Sequence, residues 1–166
     1  AHSHERVFIV EVMGRDSGFI ALDVAIAGGA EGALIPEDQA DWDKVLKHFN
    51  RPGKRKKSFS IIIVAEGDEQ GGALVLEKKL TELYPDLKIR STILGHVQRG
   101  GSPSARDRIL ASRLGSEAVK ALLDGKTSVT VGIVSDKVTY IPFELAINGK
   151  KSVDPALIEL AEILAI

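Results

Sequence analysis

Three short stretches pair glycine with groups that can hold an oxygen-rich ligand. They are Met13-Gly14-Arg15, Glu66-Gly67 and Gly95-His96-Val97-Gln98-Arg99-Gly100-Gly101. Arg15 and Arg99 carry planar forks that match phosphate oxygens. His96 can donate to a phosphate or a hydroxyl, and Glu66 can accept from sugar hydroxyls. Glycine lets the backbone turn sharply and lets a ligand come close. Two arginines, a histidine and a carboxylate suit a sugar phosphate better than an apolar ligand. Each stretch also has a plainer reading. A Gly-Arg pair is commonly just a turn, and a carboxylate after a strand is commonly solvated. The stretch 95–101 is the hardest to explain by packing, because three glycines, a His and an Arg fall within it.

A second basic feature is Arg51-Pro52-Gly53-Lys54-Arg55-Lys56-Lys57, where five of seven residues are cationic. By itself it reads as a solvated loop; as a functional loop it reads as a second anion site. Gly28-Gly29-Ala30-Glu31, at a helix end, faces that site if the two loops are neighbours. Other chemistries lack their signatures. There is no Gly-x-Gly-x-x-Gly and no Walker loop, since Gly101 stands where the Walker lysine belongs. His2, His4, His48 and His96 lack zinc-ligand spacing. No Ser-His-Asp elbow is present.

The elements that must carry these groups alternate between apolar runs and amphipathic stretches. Strands are expected at Val7–Val12, Ala33–Ile35, Ser60–Ala65, Ile89–Leu94, Val129–Ile133 and Val138–Phe143. Helices are expected from Asp16 or Ser17 to about Ala27, from Asp41 with Trp42, Val45, Leu46 and Phe49 as one stripe, and at about Gly72–Tyr84 with Leu76, Leu80 and Leu83 inward. Another is expected from Ser102-Pro103 to Gly125. A last one opens at Asp154-Pro155, with Leu157, Leu160, Ala161 and Leu164 on one face. Such alternation predicts an α/β fold, a mostly parallel Rossmann-like sheet with helices on both faces. Ligands then bind beyond the carboxyl ends of the strands. The helix N-termini after Arg15 and Gly101 are expected to add positive dipole ends there.

Composition bounds the alternatives. The chain has 166 residues, 44% hydrophobic and 27% charged, enough to bury a core. The net charge is -1, with 14 basic and 15 acidic residues in 1–101 and 8 of each in 102–166. Neither part suggests nucleic-acid binding. Cysteine is absent, which excludes disulfides and a Cys nucleophile and fits a cytoplasmic protein. No run is long enough for a membrane span, and no signal peptide is present. The chain opens at Ala1 and its one Met is Met13. The expectation is a processed chain or a piece of a larger one.

In order along the chain, these motifs resemble the ATP-dependent phosphofructokinase family. The similar stretches are Ser3–Arg6, Val10–Arg15, Ala27–Glu31, Ile35–Glu37, Ile61–Gly67, Leu94–Pro103, Asp107-Arg108 and Leu110–Gly115. The likeness spans roughly 3–125 and then thins. It implies a phosphofructokinase-like fold. It implies that Met13, Gly14, Arg15, Glu66, His96, Val97, Gln98 and Arg99 bind fructose 6-phosphate. Arg6 and Arg90 match arginines that reach into a neighbouring subunit's pocket, which implies a homo-oligomer, a dimer or tetramer. Gly29, Ala30, Glu31, Arg55 and Lys57 match an effector site for a nucleoside diphosphate or phosphoenolpyruvate, with Glu31 on the effector's Mg2+. Asp16-Ser17 replaces a His followed by a small residue, and Ser58 replaces a position that is often basic.

The resemblance also implies parts that this sequence does not carry: the Gly-rich loop for the donor nucleotide and the segment bearing the catalytic base. The expectation is therefore an acceptor- and effector-binding lobe at 1–101 and a return segment at 102–166. The complete glycolytic enzyme uses ATP with Mg2+, and the chain alone is expected to lack turnover. Two alternatives are a pyrophosphate-dependent relative and a non-catalytic sensor of sugar phosphate or nucleotide. A Rossmann oxidoreductase is disfavoured by the missing glycine fingerprint.

Overall fold

The computed structural model describes residues 6–38, 42, 45, 46, 49, 59–67 and 71–165. They form two compact units, Ala1–Gly100 together with Ser152–Ile166, and Gly101–Lys151.

The first unit is built on four parallel strands: β1 (Arg6–Val12), β2 (Gly32–Leu34), β3 (Phe59–Ala65) and β4 (Lys88–Ile93). Their order across the sheet is β2-β3-β1-β4. The central strands β1 and β3 are runs of β-branched and apolar residues, as burial on both faces demands. One face packs Val7, Ile9, Leu34, Ile62 and Val64 against Trp42, Val45 and the helix α2 (Gly72–Leu83), with Leu46 and Phe49 beside them. The expected stripe Trp42, Val45, Leu46 and Phe49 thus points into this core. The other face packs Val12, Ile63 and Ala65 against Ala21 and Ala25 of α1 (Phe19–Gly28), with Ile158 of α5 (Pro155–Leu164) against them. The parallel sheet with helices on both faces is as expected.

Two helix faces differ from expectation. Leu76 and Leu80 are fully buried, but Leu83 is 53% exposed, and the packed stripe continues from Leu80 to Tyr84 instead. In α5 the inward residues include Ile158, whereas Leu157, Leu160 and Leu164 are exposed. Asp154 does cap α5, accepting from the Ala156 N–H, with Pro155 at its first position.

The second unit holds α3 (Ala105–Leu123), the hairpin β5 (Val129–Val134) and β6 (Lys137–Pro142), and α4 (Phe143–Asn148). The start of α3 lies later than the expected Ser102-Pro103. Ser104 is the cap, and it exchanges hydrogen bonds with Asp107 in a complete capping box. Among the described residues β5 and β6 pair only with each other, antiparallel. Ser135 and Asp136 join them, both at positive φ of 49° and 62°, the geometry of a type I′ turn. Arg113 steadies that turn, donating to Asp136 Oδ1 and to its carbonyl.

Candidate functional site

β1 lies between β3 and β4, so three neighbouring strands end side by side at the carboxyl edge. Those ends carry Met13–Arg15, Glu66-Gly67 and the 3-10 turn Gly95–Arg99. The ladders run out at Glu66 N–H to Val12 O, 2.9 Å, and Leu94 N–H to Glu11 O, 3.1 Å. Beyond them the contacts pass to side chains.

Three consecutive backbone N–H groups after β1 are each taken by a side chain. Met13 donates to Gln98 Oε1 at 2.8 Å. Gly14 and Arg15 donate to Glu66 Oε1 at 3.2 and 2.8 Å. The hydrogen bonds from Arg15 and Gly14 hold the Glu66 carboxyl below the usual carboxylate range, and the charges of Arg99 and then His96 add to this. Glu66 is therefore an anion that both shapes the Met13–Arg15 loop and faces Arg99 and His96.

The loop itself is tight. Ser17 Oγ and Ser17 N–H both reach back to the Gly14 carbonyl, at 3.0 and 3.1 Å. Arg15 sits in the left-handed region, φ 52°, an unusual place for an arginine. A Cβ on Gly67 would lie 1.7 Å from the Arg15 carbonyl oxygen, so only glycine lets these two strand ends meet. The Arg15 guanidinium lies 3.7 Å from Asp16, with both side chains at least 90% exposed. Such a pair is weak and leaves the guanidinium able to turn to a ligand.

The 3-10 turn has three residues per turn, so His96 and Arg99 stand one above the other. Both are exposed, Val97 is 72% exposed, and Gln98 is half-buried against β1. The structure thus gathers Met13, Gly14, Arg15, Glu66, His96, Gln98 and Arg99 at one edge.

Arg6 and Arg90 are not part of that gathering. Arg6 begins β1, about 20 Å from its other end at roughly 3.3 Å per residue. By strand alternation and register, with Phe8 opposite Arg90, the two arginines share one face of the sheet, and both are exposed. Gly29, Ala30 and Glu31 lie at the opposite, amino edge, where α1 ends and β2 begins. Gly29 takes the left-handed cap, φ 64°. Glu31 is buried, and its Oε2 accepts from the Ile61 N–H at 2.5 Å. Arg55 and Lys57 lie outside the described residues. Among the described residues no three His, Asp or Glu side chains gather as a metal cluster. No described helix is long and apolar enough to cross a membrane.

One expectation is overturned at the N-terminus of α1. It starts at Phe19, and the Gly18 N–H before it donates to both oxygens of Glu37, at 3.0 and 2.9 Å. A protein carboxylate therefore occupies the end expected to face a ligand phosphate. Likewise Glu11 Oε2 accepts from the Ala73 N–H at the start of α2, 2.8 Å. Sequence reasoning missed both caps, since each acts across 19 or 62 residues.

Comparison with known proteins adds the following. A family model described as Phosphofructokinase matches residues 1–122. The ATP-dependent 6-phosphofructokinase 2 of Bacteroides thetaiotaomicron is 49% identical over 167 residues, 100% of this chain and 51% of the relative. ATP-dependent 6-phosphofructokinase 1 of Thermus thermophilus is 48% identical over 166 residues, again 100% of this chain and 51% of the relative. The chain spans about half the length of the curated relatives it matches. Among solved structures, phosphofructokinase from Saccharomyces cerevisiae superposes with a TM-score of 0.78 at 34% identity, covering 98% of this chain and 23% of that one. A pyrophosphate-dependent phosphofructokinase from Marinobacter aquaeolei shares the fold, with a TM-score of 0.75 at 22% identity, covering 96% of this chain and 47% of that one.

Proposed function

The chain belongs to the phosphofructokinase family, and from that premise we propose that it is the acceptor-binding part of an ATP-dependent 6-phosphofructokinase. Such an enzyme moves the terminal phosphoryl group of ATP to the 1-hydroxyl of fructose 6-phosphate. The observation that carries the reading is the meeting of Arg15, Glu66, His96 and Arg99 at the ends of β1, β3 and β4. In this reading Arg15, His96 and Arg99 grip the sugar phosphate. Glu66, kept ionised by the Gly14 and Arg15 amides, accepts from sugar hydroxyls. Met13 and Gly14 line the floor, and Val97 and Gln98 complete the contact surface. The chain's contribution is to hold the acceptor in one pose, the main lever in phosphoryl transfer.

Arg6 and Arg90, both exposed side chains on one side of the sheet, serve a neighbouring subunit's pocket in a cytoplasmic homo-oligomer. Gly29, Ala30, Glu31, Arg55 and Lys57 form the proposed effector site for a nucleoside diphosphate or phosphoenolpyruvate. Glu31 enters it with Oε2 engaged by β3. ATP brings Mg2+ in this chemistry, and Glu31 is the residue proposed to meet the Mg2+ of a bound effector.

Titration calorimetry of this chain with fructose 6-phosphate tests the reading. Binding is expected, weakened about tenfold or more by Arg99→Ala, the loss of one charge-assisted hydrogen-bonding fork. Absence of binding by the unmutated chain overturns it. A coupled assay with ATP is expected to show no turnover by this chain alone.

A further inference from the structure

We propose that Gln98 is a positioning residue, whose carboxamide fixes the Gly95–Arg99 turn to the end of β1 and so sets where His96 and Arg99 stand over the ligand. The inference rests on the acceptor reading above and gives Gln98 a role in it other than ligand contact.

Among the described residues the 3-10 turn has little else to hold it. The β1–β4 ladder stops at Leu94 N–H to Glu11 O. None of the five turn residues is buried, and its one aliphatic side chain, Val97, is 72% exposed. Apolar burial therefore does not anchor it. Gly100 N–H to Val97 O closes the turn on itself without reaching the sheet. The link back is Gln98 Oε1 to Met13 N–H, 2.8 Å, between residues 85 apart in sequence. The partner decides the orientation of the amide: a backbone N–H needs the oxygen, so the Gln98 NH2 must point away from Met13.

Register explains the consequence. With three residues per turn, His96 and Arg99 eclipse each other and Gln98 is rotated to a different side. Pinning Gln98 to Met13 therefore fixes the rotation of the whole turn about its axis, and with it the side chains of His96 and Arg99. The same loop is pinned at its next two amides by Glu66. The three strand ends are thus tied together at consecutive amides of Met13, Gly14 and Arg15.

The test compares the unmutated chain with Gln98→Met, which keeps the length and loses the acceptor, and Gln98→Glu, which keeps an acceptor. Amide hydrogen exchange at Met13 and the His96 ring resonances are read by NMR, and fructose 6-phosphate affinity by calorimetry. The expected result has three parts. Met13 exchange is at least tenfold faster in Gln98→Met, the His96 resonances shift, and affinity falls about tenfold with the denaturation midpoint little changed. Gln98→Glu restores slow Met13 exchange. Unchanged exchange or unchanged His96 resonances in Gln98→Met overturns the proposal, as does altered exchange with unaltered affinity. If the unmutated chain binds no sugar phosphate, the acceptor reading fails by itself. The exchange and His96 readouts then still decide whether Gln98 positions the turn. Should Gln98→Met not fold, exchange at Met13 in Gln98→Asn, which shortens the reach, takes its place with the same expected direction.

Discussion

Glu66 holds Arg15 by its backbone and not by its charge: Glu66 Oε1 lies 2.8 Å from the Arg15 amide nitrogen, while the guanidinium sits 3.7 Å from Asp16. The carboxylate spends itself on loop geometry and leaves the cation to face solvent. That division of labour has a pH signature. The carboxyl is held below the usual range in the folded chain, first by the Arg15 and Gly14 amides. Its contribution is therefore complete above the unfolded carboxyl's pKa and is lost as pH falls through the lowered folded value. The Glu66 carboxyl carbon is expected to titrate below a free glutamate, and the protection of the Gly14 and Arg15 amides, measured relative to intrinsic exchange at each pH, to fall over the same acid window. In Glu66→Gln that acid-window fall in protection is absent.

Arg15→Gly separates strain from binding. The left-handed φ of 52° costs a non-glycine residue of order 1 kcal/mol. Glycine removes that cost while raising the entropy of the unfolded chain. The denaturation midpoint is expected to hold or rise slightly while fructose 6-phosphate binding is lost. A large drop in stability would show that the guanidinium supports the fold.

Gly67→Ala is expected to fail in the opposite way. Its Cβ would stand 1.7 Å from the Arg15 carbonyl oxygen, a backbone atom that cannot rotate aside. The Arg15 turn must move, at a cost of roughly 1–3 kcal/mol. Urea denaturation checks the loss of stability, and calorimetry checks the accompanying loss of affinity.

Much of this was legible because it is local. The apolar runs at Val7–Val12 and Ser60–Ala65 specify strands buried on both faces, and the stripe from Trp42 to Phe49 specifies an inward helix face. The glycine-flanked groups at the strand ends declared themselves by type. What could not be read is non-local. Glu37 on Gly18, Glu11 on Ala73 and Gln98 on Met13 are side chains serving distant amides, and no spacing rule finds them. Leu83 and the leucines of α5 show the same limit, since periodicity finds a stripe but does not say which of its borders the neighbouring layer covers: Tyr84 and Ile158 pack inward in their place. The Ser135-Asp136 turn lacked the glycine that marks its type.

Within α2 the periodicity and the burial disagree, and mutation discriminates between them. Leu76→Ala, at a fully buried site, is expected to cost about 2–5 kcal/mol. Leu83→Ala, in the same helix and 53% exposed, is expected to change stability by about 0.5 kcal/mol or less. Thermal unfolding of the two variants measures the contrast.

At the head of α3, Ser104→Ala removes the hydroxyl that accepts from the Asp107 N–H at 3.2 Å. A loss of about 1 kcal/mol is expected, as for other caps. It should appear in circular dichroism as fraying of the helix, leaving the Met13–Arg15 amides unmoved.

The chain leaves the first unit at Gly100 and rejoins it at Ser152. Ile158 of α5, which packs against the cluster that includes Ala25 and Ile35, is thus synthesised only after the whole of 101–151. Until then the α1 side of the sheet lacks part of its cover. The order of synthesis therefore imposes a waiting period on a half-clothed apolar surface, with a long loop to close at its end. A nascent chain paused within α3 would already hold every residue of the three strand ends, yet would still expose the patch that α5 covers. The vulnerable moment in this molecule's life falls after its sheet is synthesised and before its core is sealed.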